Sequence, residues 1–68
     1  MMSIDINFKG IRGKHIFGFY GSVIPKPTDI VRYEGRTYTV KKVVHSYRIM
    51  SKMTTKHIVF VTLKEVKK

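Results

Sequence analysis

Residues 28–44 read TDIVRYEGRTYTVKKVV. Ile30 and Val31 begin an apolar run that Tyr33 ends just before Glu34-Gly35; Tyr38 and Val40 then resume in strict alternation, with Thr37, Thr39 and Lys41 on the opposite face. Two β-branched and aromatic runs split by a short Gly-containing break predict a β-hairpin. Glu-Gly is a weaker type I′ signal than Asn-Gly or Asp-Gly, so the expected turn is longer than two residues. The phase of Tyr38 and Val40 would next bring Lys42 inward, although Val43 and Val44 are both apolar. A β-bulge near Lys41-Lys42 resolves the conflict, returning Val43, His45 and Tyr47 to the inner face.

Outward from the hairpin the period stays at two. Ser3 to Phe8 places Ile4, Ile6 and Phe8 on one side and Asp5 and Asn7 on the other, the pattern of a half-buried strand. Lys9 to Lys14 is a loop with three positive charges. His15 to Val23 is an aromatic-rich strand containing Gly18 and Gly21. Glycines in a strand mark a bulge, a sharp bend or a close approach of another backbone, and a kinked strand is expected here, of the kind that lets one long strand serve two sheets. Ile24-Pro25-Lys26-Pro27 is a rigid extended connection, because proline fixes φ and cannot donate to a ladder. Asp29 is placed to brace the start of the hairpin by accepting backbone hydrogen bonds. Ser51 to Lys56 reads as an exposed polar loop, and His57 to Val66 as a last strand with Val59, Val61 and Leu63 on one face, followed by a basic tail at Lys67 and Lys68. Phe8, one of Phe17 and Phe19, Tyr38 and Phe60 are the expected buried rings. Tyr20 and Tyr47, with their polar tips, are the expected exposed ones.

No segment carries a helical period. Five short strands in one domain (residues 1–68) predict an all-β fold, a small five-stranded SH3-like barrel. An OB-like barrel is the alternative, and it usually needs more chain. The length is near the lower limit for a self-sufficient core, and with no cysteine neither a disulfide nor a thiolate metal site can staple it. No apolar run approaches the roughly 18 residues of a membrane span and no signal-peptide core is present, so a soluble, cytoplasmic protein is expected.

Charge is the strongest functional signal. Fourteen Lys and Arg against four Asp and Glu give a net charge of +10 and a pI near 10.2, and a domain pI above about 9 is the electrostatic footprint of a nucleic-acid binder. Enzymatic constellations are missing: Asp5, Asp29, Glu34 and Glu65 are scattered, and His15, His45 and His57 are too separated to infer a metal site. A non-enzymatic protein with no cofactor and no metal is expected. Gly10-Ile11-Arg12-Gly13 matches the GxxG loop of KH domains, yet that loop joins helices and both flanks here are strands. The same loop lacks the Ser/Thr of a P-loop, since His15 follows Lys14.

Basic residues interleaved with aromatics carry more weight, because single-strand binders combine a positive groove with rings on which bases stack. The candidate contacts are Arg12, Lys14, Tyr20, Lys41, Lys42, Tyr47, Arg48, Lys52 and Lys56. The leading expectation is nucleic-acid binding, DNA ahead of RNA, by a monomer or weak dimer without membrane association. The alternative is a small adaptor or inhibitor that docks on an acidic host protein.

Pro27-Thr28-Asp29-Ile30-Val31, Gly35, Tyr38-Thr39-Val40 and Val43, with the closing Val59 to Val66, resemble small phage- and prophage-encoded SH3-like barrel proteins. In those proteins a Pro/Gly-Asp lead-in precedes a strand, a Gly turn and a Tyr-x-Val strand; Thr28 stands here where Gly is usual before the Asp. The resemblance covers about residues 25–66 and implies the fold and a viral setting, hence the host cytoplasm. It transfers no catalytic or binding residue.

Overall fold

The structure, a computed structural model, describes residues 4–66. Ser3 and the basic tail at Lys67 and Lys68 lie outside the described residues. Five strands, β1 (Ile4–Gly10), β2 (His15–Gly21), β3 (Ile30–Tyr33), β4 (Arg36–Ile49) and β5 (Thr55–Glu65), form one sheet in the order β2-β1-β5-β4-β3. The sheet curls into a half-barrel consistent with a small SH3-like or OB-like barrel. Neighbouring strands are antiparallel except β1 and β5, which run parallel at the centre.

The inner face follows from the alternation. Ile6 lies beside Val59, Phe8 beside Val61, and Val40 opposite Leu63. These six residues and Tyr38 are buried and make the core, with Ile4, Ile16, Phe17, Ile24, Val31, Tyr33 and Val43 packed around them. Burying a side chain of this size is worth roughly 1.5–3 kcal/mol, so seven of them are the main source of stability in so short a chain. The edge strands β2 and β3 share no ladder among the described residues. They meet through side chains instead: Phe17 stacks on Tyr33 with ring centroids 4.0 Å apart and on Phe8 at 4.4 Å.

The bulge occurs where the pattern requires it. Val40 pairs with Leu63 and Lys42 with Thr62, leaving Lys41 as the extra residue. Past it Val43, His45 and Tyr47 lie opposite Val61, Val59 and His57, on the core side of the ladder. Asp29 also acts as expected, its Oδ2 accepting the Lys26 N–H at 2.9 Å.

Three expectations are corrected. The β3–β4 turn has two residues, not more: Tyr33 pairs with Arg36, and Glu34 and Gly35 have φ of 51° and 74°. Positive φ at both positions is the type I′ requirement, and the match of that turn to strand twist outweighs the poor fit of Glu. Second, β2 does not serve two sheets, since all five strands form one. Its register with β1 is unbroken from Phe17 to Gly21, and the irregularity falls at Ile16, opposite Phe8-Lys9. Gly18 serves close approach instead, since a Cβ there would come within 3.0 Å of the Ile6 carbonyl oxygen. Third, Phe60 is outside the core: it is half-buried on the outer face, because β5 turns Val59, Val61 and Leu63 inward.

Thr28 is strained. The Asp29 N–H donates to the Lys26 carbonyl at 3.0 Å, closing a turn with Pro27 at its second position and Thr28, φ 77°, at its third. Pro followed by a residue at positive φ is the type II pattern, which favours Gly at the third position. A β-branched residue there is a genuine outlier.

Candidate nucleic-acid interface

The outer face of β1, β5 and β4 is a basic strip. Registers place His15, Lys9, Thr62 and Lys42 in one row across the sheet, Gly18, Asn7, Phe60 and Val44 in the next, then Tyr20, Asp5, Ile58 and Ser46, and finally Lys56 and Arg48. The Lys9 ammonium sits over the Phe60 ring, 4.7 Å from its centroid, so the ring holds a cation at its centre. Lys9, Lys42, Val44, Phe60 and Thr62 line a shallow cleft of about 270 Å³ together with the β1–β2 loop. At the other end Lys56 Nζ lies 3.5 Å from Asp5 Oδ2 and 5.9 Å from the Tyr20 ring centroid. Asp5 also accepts a hydrogen bond from Asn7 Nδ2 at 3.2 Å. Among the described residues Asp5 is the carboxylate that registers place on this face, and it is occupied by these two partners.

Of the nine candidate residues, Tyr20, Lys42, Arg48 and Lys56 come together on this strip, and Lys52 lies beyond it in the β4–β5 connection. Lys41 is the exposed bulge residue. Arg12 and Lys14 belong to the tight β1–β2 loop, in which Gly10 N–H donates to the Lys14 carbonyl at 2.8 Å. They line a larger cleft of about 710 Å³ with Arg36, Lys64 and Glu65 and with the apolar Ile16, Tyr38 and Leu63.

Tyr47 is separated from Tyr20. Both are about two-thirds exposed, yet Tyr47 pairs with His57 on the core side of the ladder while Tyr20 faces outward. Tyr47 stacks on His57 at 4.6 Å, and His57 Nε2 lies 2.9 Å from His45 Nδ1, a bond in which one ring donates and the other accepts. Sequence reasoning missed Lys9 and Phe60 as members of the outer face. The signal was present: each neighbours a core residue (Phe8; Val59 and Val61) in strict alternation and must therefore face away.

Among the described residues no group of three or more His, Asp or Glu is placed to hold a metal ion, and no helix is long and apolar enough to cross a membrane. No family model, curated protein or solved structure matches the chain.

Proposed function

We propose that the protein binds nucleic acid, DNA ahead of RNA, through the outer face of β1, β5 and β4, with Lys9, Lys42, Arg48 and Lys56 contacting phosphates. The observation that carries this is the strip itself: Lys9, Lys42, Arg48 and Lys56 share one sheet face, and among the described residues the carboxylate placed there is Asp5, paired with Lys56, so the strip keeps an excess of positive charge. From Lys42 to Arg48 the strip runs about 20 Å at roughly 3.3 Å per residue, the length of about six base pairs. Duplex is favoured over single strand, because stacking needs a track of free rings on one face. Here Phe60 is covered by Lys9, and Tyr20 and Tyr47 lie on opposite faces. Contacts of this kind position the protein on the backbone and carry little sequence information. A phage or prophage setting accords with the resemblance of the hairpin.

Fluorescence anisotropy with labelled duplex and single strand across a salt series tests the proposal. The expected result is duplex affinity that falls linearly on a log–log salt plot, each participating cation adding about −0.9 to the slope. Absence of binding at low ionic strength overturns it. The 710 Å³ cleft favours a second reading, an adaptor for an acidic host protein, because Arg12, Lys14, Arg36 and Lys64 outnumber Glu65, the one carboxylate that lines it among the described residues, around apolar residues. A pull-down from nuclease-treated host lysate separates the two: a partner retained after nuclease supports the adaptor, and one lost with it was bridged by nucleic acid.

A further inference from the structure

The far end of the β4–β5 hairpin has no assigned role. Tyr47 to Ile49 pair with Thr55 to His57, and among the described residues these segments pair only with each other. The connection between them is closed, with Met50 N–H donating to the Thr54 carbonyl at 2.9 Å and Ser51 N–H to the same oxygen at 3.3 Å. The result is an ordered two-stranded ribbon with an apolar end: Ile49 is 79 %, Met50 57 % and Met53 94 % exposed. Exposed apolar side chains so close together in the chain are the kind of feature an interaction surface presents.

The charges around the tip identify the partner. Arg48 and Lys56 form the outer-face pair at the ribbon's base, and Lys52 lies within the connection next to Met53. Between Arg48 and Lys56 there is no carboxylate, while Ser51, Thr54 and Thr55 add hydroxyls that can donate to phosphate oxygens. An apolar wedge set among phosphate-binding groups matches how proteins enter the minor groove, where Met, Leu, Ile, Phe or Pro side chains part a base step and kink the duplex. Met is unbranched and can follow the narrow gap between two bases. The ribbon also continues the basic strip, so a duplex lying on Lys42, Arg48 and Lys56 is led toward the tip.

We infer that the β4–β5 ribbon is a DNA-bending arm, in which Met53 wedges into a minor-groove base step while Arg48, Lys52 and Lys56 hold the flanking phosphates. The inference rests on the duplex-binding proposal above and adds to it a defined distortion of the DNA. Parting a step bends the duplex by about 20–90°.

The test uses the full chain and a short duplex carrying a donor and an acceptor dye at its ends, with 2-aminopurine at internal steps. Salt-dependent anisotropy is read on the same samples. The wild type is expected to shorten the dye–dye distance and raise 2-aminopurine fluorescence. Met53→Ser is expected to abolish both signals while keeping the salt slope within about 0.9, the share of one cation. Lys52→Gln is expected to do the reverse, lowering the slope and keeping the bend. Met53 touches no part of the core, so its substitution leaves the fold in place, which circular dichroism verifies. Salt-dependent binding without a change in dye distance, or a Met53→Ser protein that bends like the wild type, overturns the wedge and leaves the phosphate interface standing. Absence of duplex binding at low salt overturns both.

Discussion

The base of the β4–β5 hairpin and its far end are built from the same two strands with the same ladder, yet they differ in almost every other respect. In the base, Val40, Val59, Val61 and Leu63 are buried in one core with Ile6, Phe8 and Tyr38. At the far end no residue from Tyr47 to His57 is buried. Backbone hydrogen bonds are common to both, and their net worth is modest because water offers the same bonds to an unfolded chain. Apolar burial is what differs. A two-stranded ribbon alone is marginal in water, so the arm takes its order from the half-barrel beneath it, helped by the Tyr47–His57 stack and the His45–His57 bond.

Four substitutions break or sharpen that contrast. Phe8→Ala removes the largest fully buried side chain and is expected to cost about 3–5 kcal/mol, a large share of what a chain this short possesses. Because the arm depends on the base, urea denaturation followed by circular dichroism should show both losing structure in a single transition. Thr28→Gly acts in the other direction: it relieves a β-branched residue at φ 77° and is expected to raise stability by about 1–2 kcal/mol, seen as a higher urea midpoint at unchanged m. Tyr47→Ala removes the stack on His57, worth about 0.5–1.5 kcal/mol. Its loss is expected in amide exchange from Tyr47 to His57, with the exchange of Val59 and Val61 unchanged. Equal deprotection of both segments would show that arm and base are one cooperative unit. Replacing residues 48–56 by Asn-Gly, so that Tyr47 and His57 flank a two-residue turn, is expected to leave stability within about 1 kcal/mol, as for changes remote from a core. The same replacement should cut the duplex salt slope by about 2.7, the share of Arg48, Lys52 and Lys56.

The base was more legible in the sequence than the arm or the interface. Alternation alone placed Ile6, Phe8, Val40, Val59, Val61 and Leu63, and the clash of phase at Lys41-Lys42 located the bulge, because both are local consequences of a two-residue period. Glu34-Gly35 makes a tighter turn than its composition predicts, because turn preference is a small local term that the twist of the flanking strands overrides. At Gly18 the sequence leaves bulge, bend and close approach open, because what decides among them, the Ile6 carbonyl at 3.0 Å, belongs to another strand. The candidate contacts were scattered for the same cause. Whether Tyr20 and Tyr47 share a face depends on the registers of β2 with β1, β1 with β5 and β5 with β4, none of which is written in either residue's neighbourhood. Ser51 to Lys56 reads as a loop from its polarity, whereas Thr55 and Lys56 extend the ladder and carry the tip outward.

The place of β5 in the sheet has a consequence for how the protein is made. The last strand in chain order lies at the centre, between β1 and β4, and contributes Val59, Val61 and Leu63 to the core. During synthesis β1 and β2 can pair as a hairpin, and β3 with β4, but the ladders that join the two halves wait until β5 leaves the ribosome, and before then only side-chain contacts such as Phe17 on Tyr33 can link them. The nascent chain therefore waits with its core incomplete, and closure comes late, through pairings distant in sequence of the kind that fold in milliseconds to seconds. During that interval two unfinished hairpins are open to pairing with a neighbouring chain. The lysines and arginines that suit a phosphate surface in the folded protein also make those exposed intermediates repel one another.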